Sequence, residues 1–305
     1  MKVLVTGAGG FVGRRLVQVA RDAGDHLDAP SSAEIDLTRD GSLDVLGSAT
    51  YDRIYHLAAW TRPGRFCQER GGDQWIVNQQ INTNVLAWWQ RRQPQAKLVA
   101  FGTSASYAAS GVHHEEDYLA GVPPEAYFAY AMTKRMLLAG LMELGRQHGL
   151  RWLYLVPSTV YGPDYHADGR ELHFVYDLAR KIVRGREHGE EVVLWGDGSQ
   201  RRELVHVDDV VHATTTLPGI TGEQVINVGA GADHSIREIA TELCALADYD
   251  IARVRFDPER FVGARDKVLA TDRLRSLIGP HTDVALRDGL AQVVAWVEGN
   301  AAKLG

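Results

Sequence analysis

The sequence has very little cysteine, since Cys67 and Cys244 are the only two among 305 residues. Two thiols are too few for a disulfide framework or a cysteine-rich metal centre, so the sequence excludes both classes of protein. No apolar run approaches the roughly 18 residues that span a bilayer. Met1 and Lys2 lead directly into the strand-like run Val3–Val5 rather than into a signal peptide. We therefore expect a cytoplasmic protein with no membrane partner.

Charge of one sign is also scarce. The formal net charge is −6, charged residues make up 24% of the chain, and they form no block of like charge. Duplex-binding proteins concentrate basic side chains on one face, so we expect no nucleic-acid partner. A nucleotide ligand is still allowed, because a few arginines suffice to hold phosphates. The length permits one large α/β domain or two lobes that share a cleft.

A glycine-rich turn lies between the first predicted strand and the first predicted helix. Lys2–Thr6 is aliphatic and β-branched, as in a buried strand, and helical periodicity follows over Arg14–Ala23. Gly7, Gly10 and Gly13 fall between them. Glycines at this spacing allow a tight turn, a close approach to a pyrophosphate and close packing of helix on strand. A plain βα turn is the alternative, but the strand and helix on either side favour a dinucleotide site.

The residues after the second predicted strand bear on which dinucleotide binds. His26–Ala29 predicts that strand, and Ser31 and Ser32 follow Pro30. Asp28 would bind a ribose diol, whereas Ser31 or Ser32 would hydrogen-bond to a 2′-phosphate. No arginine lies in this segment. The lack of an acidic residue immediately after the strand slightly favours NADPH, and the lack of an arginine weakens that preference. The cofactor is therefore NADP or NAD.

Strands and helices alternate through residue 156. Further strands are predicted over 53–59, Lys97–Phe101 and Trp152–Val156, with a polar loop over 60–75 and a helix over Asn78–Arg92. This alternation predicts an α/β fold with a Rossmann-like doubly wound parallel sheet. We place the dinucleotide-binding domain mainly in residues 1–160, with some later segments returning to it.

Residues 161–305 are expected to form mainly a smaller substrate-binding lobe. Here 191–195 and 203–209 predict two strands joined by a turn, hairpin-like. Asp208 and Asp209 would cap a helix from Val210, and Ser235 would start another helix with a capping box.

Tyr130 and Lys134 lie four residues apart in a predicted helix, so they share one face. A phenol is a poor acid or base at neutral pH, but a nearby ammonium lowers its pKa. A tyrosine tuned in this way can exchange a proton with a substrate oxygen while hydride moves at the adjacent carbon. Such pairs are common on protein surfaces, so this one indicates catalysis only together with the glycine turn.

A cluster of histidines and acids precedes this helix. The run comprises His113, His114, Glu115, Glu116 and Asp117. Loops of this composition are more often solvated turns than metal sites, and no further ligand follows at a useful spacing. We therefore expect no metal.

Several motifs occur in one order along nearly the whole chain. They are Gly7-Ala8-Gly9-Gly10-Phe11-Val12-Gly13, His56-Leu57-Ala58-Ala59, Asn84-Val85, Thr103-Ser104, Tyr130-x-x-x-Lys134, Pro157-x-x-Val160-Tyr161-Gly162-Pro163 and Arg202-Glu203-x-x-His206-Val207-Asp208-Asp209. With them the chain resembles the extended short-chain dehydrogenase/reductases, and more closely their nucleotide-sugar epimerase/dehydratase branch. Within that branch it is most similar to the GDP-L-fucose synthase group.

The resemblance implies a nicotinamide dinucleotide site and a catalytic group. Thr103 would hydrogen-bond the substrate oxygen together with Tyr130, while Lys134 would hold the nicotinamide ribose and lower the Tyr130 pKa. The residues implied to bind the cofactor are Gly7, Gly10, Phe11, Val12, Gly13, Ser31, Ser32, Leu57, Ala58, Ala59, Tyr130, Lys134, Pro157 and Val160.

The resemblance also implies a substrate site, with one departure. The implied substrate contacts are Ser104, Ala105, Ser106, His173, Arg202 and Lys267, with Arg202 on the diphosphate. The fucose synthase group epimerises with a cysteine and a histidine; His173 falls at the histidine, but Ala105 stands at the cysteine. A methyl group cannot abstract a proton. We therefore expect C4 reduction of a 4-keto-6-deoxy sugar nucleotide, GDP-linked in preference, with one epimerisation or none.

Alternatives remain open at this point. His173 is an epimerisation residue, a substrate hydrogen-bond donor or a core histidine, and Cys67 and Cys244 are expected to pack. The enzyme alternative is a redox-neutral epimerase that retains its NAD. A non-catalytic dinucleotide sensor is another, although such a protein needs none of Thr103, Tyr130 and Lys134. The resemblance further implies a homodimer.

Overall fold

The protein alternates strands and helices along its whole length. The computed structural model describes residues 1–62, 65–108, 111–259, 267–280 and 284–304. The strands in chain order are β1 Lys2–Thr6, β2 His26–Asp28, β3 Arg53–His56, β4 Lys97–Phe101, β5 Val112–His113, β6 Trp152–Pro157, β7 Thr159–Tyr161, β8 Val192–Trp195, β9 Arg201–His206, β10 Val225–Val228, β11 Asp233–Ser235, β12 Val254–Asp257 and β13 Val268–Leu269. The helices are α1 Phe11–Asp22, α2 Phe66–Glu69, α3 Gly71–Arg92, α4 Phe128–His148, α5 Phe174–His188, α6 Val207–Thr216, α7 Ile236–Leu246, α8 Asp272–Ile278, α9 Leu286–Gly299 and α10 Ala301–Leu304.

A six-stranded parallel sheet forms the centre of the molecule, in the order β10-β6-β4-β3-β1-β2. β1 and β4 are mainly apolar runs, and every residue of β4 is buried, as expected for a sheet covered on both faces. The strand order reverses direction at β1, because β2 and β3 lie on opposite sides of it. The predicted doubly wound fold is confirmed, and this reversal is where such folds bind ligands.

The second half of the chain builds smaller sheets and also returns to the central one. β10 pairs with β6, while β11, β9 and β7 form a three-stranded sheet. The predicted hairpin-like pair is wrong, because β8 pairs in parallel with β12 rather than with β9. Gly196 and Gly198 both have positive φ and turn the chain away after β8. The domain boundary near residue 160 stays a prediction.

The segment before Asn78 contains helix that the sequence did not predict. α3 begins at Gly71, and α2 precedes it within the predicted polar loop, of which Pro63 and Gly64 lie outside the described residues. The polar side chain of Asn78 faces inward and exchanges hydrogen bonds with the backbone of Trp60 at 2.8 and 3.0 Å. Asn78 therefore connects α3 to the segment at Trp60 through buried hydrogen bonds, and it does not belong to a solvated loop.

The caps of α6 and α7 show one wrong prediction and one correct one. α6 is capped by His206, whose Nδ1 accepts from the Asp208 N–H at 3.2 Å, and not by Asp208 or Asp209. The capping box of Ser235 and Glu238 at α7 is confirmed.

The acidic, histidine-containing run after β4 is not the solvated turn that we expected. His113 and Glu115 are both buried. Asn227 on β10 donates its backbone N–H to Glu115 Oε1 at 3.0 Å and its side-chain amide to the His113 carbonyl at 2.9 Å. His113 and Glu115 therefore cover the edge of the central sheet and are buried there, whereas His114, Glu116 and Asp117 are exposed.

Candidate active site

A cleft of about 2670 Å³ follows the carboxyl ends of the central strands and extends to the second lobe. This edge is the usual ligand site of an open parallel sheet. Most predicted site residues line it, namely Gly7, Gly10, Phe11, Val12, Gly13, Ser31, Ser32, Leu57, Ala58, Ala59, Thr103, Ser104, Ala105, Tyr130, Lys134, Val160, His173, Arg202 and Lys267. The fold thus brings the residues predicted to bind the cofactor and those predicted to bind the substrate into one cleft.

Two predicted residues do not line the cleft. Ser106 is fully buried, and its hydroxyl donates to the Ala131 carbonyl at 3.3 Å while accepting from Tyr118 at 3.0 Å. Pro157 ends β6, where it pairs in register with Val228. The Ser106 hydroxyl is therefore used inside the protein and is not a substrate contact in this arrangement.

The glycine turn fits the pyrophosphate of a dinucleotide. Gly7 has φ +74°, and a Cβ there would lie 2.6 Å from the Ala58 nitrogen. A Cβ on Gly13 would overlap the Gly7 carbonyl oxygen. Gly10 caps α1 without a side-chain hydrogen bond, so the first-turn N–H groups of α1 remain for an anion. These three features together make a close-fitting anion cradle from backbone alone.

The adenosine end of the cleft leaves both cofactors possible. The Ser31 N–H and hydroxyl both donate to Glu34 Oε2 at 2.8 Å. These bonds lower the pKa of Glu34, so the group beside Ser31 is an anion. Asp28 accepts from the Tyr51 hydroxyl at 2.6 Å. Asp28 and Ser31, two of the three side chains that we expected to bind the ribose or its phosphate, therefore already have protein partners.

Thr103, Tyr130 and Lys134 form a group at the middle of the cleft. The Thr103 side chain lies near the Tyr130 phenol, close enough to act on its pKa. The Lys134 ammonium lies 6.0 Å from the centre of the Tyr130 ring and donates to the Phe101 carbonyl at 2.8 Å. Thr103 Oγ1 also accepts from the Ala105 N–H at 3.2 Å, which fixes the start of the turn Ser104–Ser106.

Burial decides the protonation states in this group. It raises the pKa of Tyr130 and lowers the pKa of Lys134 to about 8. The sequence prediction of a lowered Tyr130 pKa is therefore wrong for the protein by itself, because desolvation of the phenolate outweighs the other influences. Tyr130 is consequently a phenol at neutral pH and serves as a proton donor.

His173 enters the cleft at the start of α5, as its N-cap residue. Its Nδ1 is buried and has no hydrogen-bond partner within the described part of the chain. Burial and the charge of Arg202 lower the His173 pKa to about 4. A neutral imidazole with a buried open nitrogen is suited to accept a proton or a hydrogen bond from a ligand.

Arg202 and Lys267 place two cationic side chains in the same wall of the cleft. Burial lowers the pKa of both, and the Arg202 charge helps to lower that of Lys267 to about 8. Arg202 Nη1 donates to the Arg201 carbonyl at 2.7 Å. Arg265 and Asp266, which precede Lys267, lie outside the described residues. Two cations that repel each other are stabilised by an anionic ligand such as a diphosphate.

Glu203 joins the two segments that carry these cations. Its carboxyl group accepts from the Gly231 N–H at 2.8 Å and from the Leu269 N–H at 2.9 Å. Gly229 leaves room for this carboxyl group, since a Cβ there would overlap it. Burial raises the Glu203 pKa to about 7. The residue is therefore a buried acid that titrates near neutral pH.

Glu203 should make stability fall as pH rises from about 4.5 to about 7. In this window the carboxyl group ionises in the unfolded chain but stays protonated in the folded one, so its contribution is lost through the folded pKa. The loss amounts to about 3 kcal/mol. Urea denaturation at both ends of the window should show this fall in the wild type and its absence in Glu203→Gln. The exposed control Glu223→Gln should retain the fall, and equal pH slopes in all three proteins would contradict this assignment.

Sequence reasoning missed several residues of the cleft wall. Trp60, Thr61 and Cys67 line it from the segment around α2, and Ser158 lines it after β6. The four-residue helix α2 is too short to show periodicity, so the sequence held no sign that Cys67 faces the cleft. Ser158 directly follows the predicted strand over Trp152–Val156 and Pro157, and that position at a strand end was a usable signal.

No three His, Cys, Asp or Glu side chains come together as metal ligands within the ranges that the structure describes. None of the described helices has the length and apolar character needed to cross a membrane.

The fold and the site together define a class of protein. A doubly wound sheet with a glycine turn at an open helix N-terminus, beside a Thr–Tyr–Lys group, is the arrangement of a dinucleotide-dependent oxidoreductase. The chain belongs to the NAD dependent epimerase/dehydratase family, whose model matches residues 3–229. It is therefore an enzyme that uses NAD(P), as the sequence predicted.

Comparison with known proteins supports the same family over the whole chain. GDP-L-fucose synthase 1 of Arabidopsis thaliana is 30% identical over 302 residues, which are 97% of this chain and 92% of that protein. A dTDP-4-dehydro-6-deoxy-D-allose reductase of Streptomyces sp is 28% identical over 319 residues, with 96% and 95% covered. The crystal structure of a GDP-L-fucose synthetase from Naegleria fowleri has a TM-score of 0.86 at 18% identity, covering 99% of this chain and 94% of that one, and shows the shared fold.

Proposed function

We propose that the enzyme reduces the C4 ketone of a 4-keto-6-deoxy sugar nucleotide, with a GDP-sugar favoured. One observation carries the proposal: Tyr130 and Thr103 share a cleft with the cationic pair Arg202 and Lys267. The first two suit a carbonyl oxygen and the second two a diphosphate. Relatives named as a GDP-L-fucose synthase and a dTDP-4-dehydro-6-deoxy-D-allose reductase support this substrate class, and they differ in the nucleotide base.

The protein's own residues supply the acid chemistry of the reaction. When bound, the nicotinamide cofactor supplies the hydride. Tyr130 donates its proton to the C4 oxygen as negative charge develops there, and the Thr103 hydroxyl donates a second hydrogen bond to the same oxygen. Lys134, held by the Phe101 carbonyl at 2.8 Å, keeps a positive charge near the phenol and stabilises the tyrosinate left behind.

The cationic pair holds the far end of the substrate in this proposal. Arg202 offers a planar fork that matches phosphate oxygens, and Lys267 adds a point charge. Both side chains are drawn from water on folding, which strengthens their attraction for a diphosphate. Glu203 keeps their two segments together through its bonds to Gly231 and Leu269.

Replacing Arg202 with leucine should raise KM for the sugar nucleotide by about 10- to 100-fold, because a charged hydrogen bond contributes roughly 1.5–3 kcal/mol. The effect on kcat should be smaller, since the diphosphate is remote from C4. Arg201→Leu is the matched control: its guanidinium pairs with Asp233 at 2.8 Å and does not line the cleft. Equal KM values for the two variants would contradict the diphosphate role of Arg202.

The proposed reaction is tested by the consumption of reduced cofactor. Purified enzyme with NADPH or NADH should oxidise the cofactor only when GDP-4-keto-6-deoxymannose or its dTDP-linked counterpart is present. One cofactor molecule should disappear for each ketone reduced. A cofactor that stays bound and is never consumed, while sugar epimers interconvert, would show a redox-neutral epimerase instead.

A further inference from the structure

Cys67 lines the same cleft as Ala105, which stands at the position where the GDP-L-fucose synthase group has its cysteine. Here that position holds Ala105, and the structure brings a different thiol to the same cavity. Cys67 lies on α2 and lines the cleft together with Thr103, Tyr130 and His173. The expectation that Cys67 is only a packing residue does not fit this placement.

Contacts on both sides hold α2 between the Tyr130 and His173 segments. On one side α2 contacts the short turn Glu125–Tyr127, which leads into the helix of Tyr130. On the other side the Arg65 N–H, just before α2, donates to Glu171 Oε2 at 3.2 Å. Glu171 is two residues before His173. The thiol therefore sits on an element tied to both chemical groups.

Other polar groups show independently that the cleft is built for a ligand. The Ser158 hydroxyl is 9% exposed, lines the cleft and has no hydrogen-bond partner among the described residues. The Nδ1 atom of His173 is also buried and also has no hydrogen-bond partner among the residues that the structure describes. Buried polar groups are almost always hydrogen-bonded, so both point to a polar ligand between them.

The surroundings of Cys67 and His173 give them complementary protonation states. Burial raises the pKa of the Cys67 thiol and outweighs hydrogen bonds from Gln74 and Thr61, which lower it. The thiol therefore carries its proton at neutral pH. His173 is neutral there, because burial lowers its pKa to about 4. Cys67 is close enough to Tyr130 for the two groups to interact electrostatically. One side chain is thus ready to give a proton and the other to take one.

Resting on the reductase function above, we propose that Cys67 and His173 are an acid–base pair that epimerises a carbon next to the C4 ketone. His173 Nδ1 takes the proton as the C–H bond breaks, and the electron pair moves to the C4 oxygen as an enolate. Thr103 and Tyr130 stabilise that oxygen by hydrogen bonds. The Cys67 S–H bond then breaks and its proton is delivered to the other face of the same carbon. Proton transfer from imidazolium to thiolate through solvent restores both groups, with no net oxidation.

The test is deuterium exchange in D₂O with GDP- and dTDP-linked 4-keto-6-deoxyhexoses, with and without NADPH. Wild-type enzyme should place deuterium next to C4. Because His173 alone can exchange the C–H proton with solvent, the measured quantity for Cys67 is inversion of that carbon. Cys67→Ala and Cys67→Ser should each lower the inverted product formed per cofactor consumed by about 100-fold, the size of one acid–base contribution. The serine variant separates chemistry from packing, since a hydroxyl of similar shape would preserve a purely structural role. Cys244→Ala is the control, because Cys244 is buried in the core of the second lobe.

The outcomes separate this inference from the proposed function. Cofactor consumption without inversion at a carbon next to C4, or with inversion that both Cys67 variants retain, overturns the acid–base pair and leaves the reductase standing. Inversion that depends on Cys67 but occurs without cofactor consumption supports the pair and overturns the reductase. Neither exchange nor consumption with either nucleotide contradicts both.

Discussion

Replacing Tyr130 with phenylalanine lowers kcat for ketone reduction by about 10³-fold, the middle of the range for a positioned general acid. The variant keeps the ring and loses only the hydroxyl that Thr103 contacts. The C4 oxygen then receives its proton from water, which has no fixed position. Because Tyr130 is a phenol in the cleft, its loss affects the transition state more than substrate binding, so kcat and kcat/KM should fall together.

Steady-state kinetics at saturating cofactor measure this effect. Tyr249→Phe provides the control, since Tyr249 lies in the core of the second lobe and does not line the cleft. It should retain wild-type kinetics. A Tyr130→Phe enzyme with wild-type kcat would show that another group protonates the product, and the catalytic role of Tyr130 would be wrong.

Replacing Gly13 with alanine weakens cofactor binding by about 10- to 100-fold and lowers the melting temperature. The added Cβ would overlap the Gly7 carbonyl oxygen, so the turn and α1 must move apart. Overpacking of this kind costs roughly 1–3 kcal/mol, and 1.4 kcal/mol is a factor of ten in affinity. The displacement also shifts the α1 N–H groups that face the pyrophosphate.

Gly222→Ala is the control outside the cleft. A Cβ on Gly222 would have no atom within 4 Å, its φ is not positive, and the residue does not line the cleft. Calorimetric titration with NADPH and NADH should therefore find nearly wild-type affinity for Gly222→Ala and weak binding for Gly13→Ala. Equal affinities for the two variants would mean that the turn does not hold the cofactor as described.

The parts of the fold that the sequence predicted well are those dictated by local pattern. Lys2–Thr6 and Lys97–Phe101 were predicted with the bounds that β1 and β4 have, because a strand buried on both faces is one apolar run between turn residues. The capping box at Ser235 is equally local. Pairing partners are not local, which is why β8 was assigned to a hairpin although it pairs with β12.

The sequence predicted the parts of the site that the glycine turn and the Thr–Tyr–Lys spacing define. It did not predict the properties that depend on how deeply each side chain is buried. The direction of the Tyr130 pKa depends on how fully the fold removes the phenol from water, which spacing does not reveal. Ser106 follows Thr103 closely in sequence, yet its hydroxyl is turned to Ala131 and Tyr118 inside the protein. Cys67 lines the cleft because tertiary contacts place α2 there, and this four-residue helix is too short to show a helical periodicity in the sequence.

Transfer of deuterium from C4-labelled NADPH to the sugar would show directly that hydride is delivered to C4. With a 4-keto-6-deoxy sugar nucleotide as substrate, we expect one deuterium at C4 of the product for each cofactor consumed, read by NMR and mass spectrometry. Tyr130→Phe should lower the rate of labelling without changing its position. Product that lacks deuterium at C4, or epimers formed with the cofactor unconsumed, would contradict a C4 reductase.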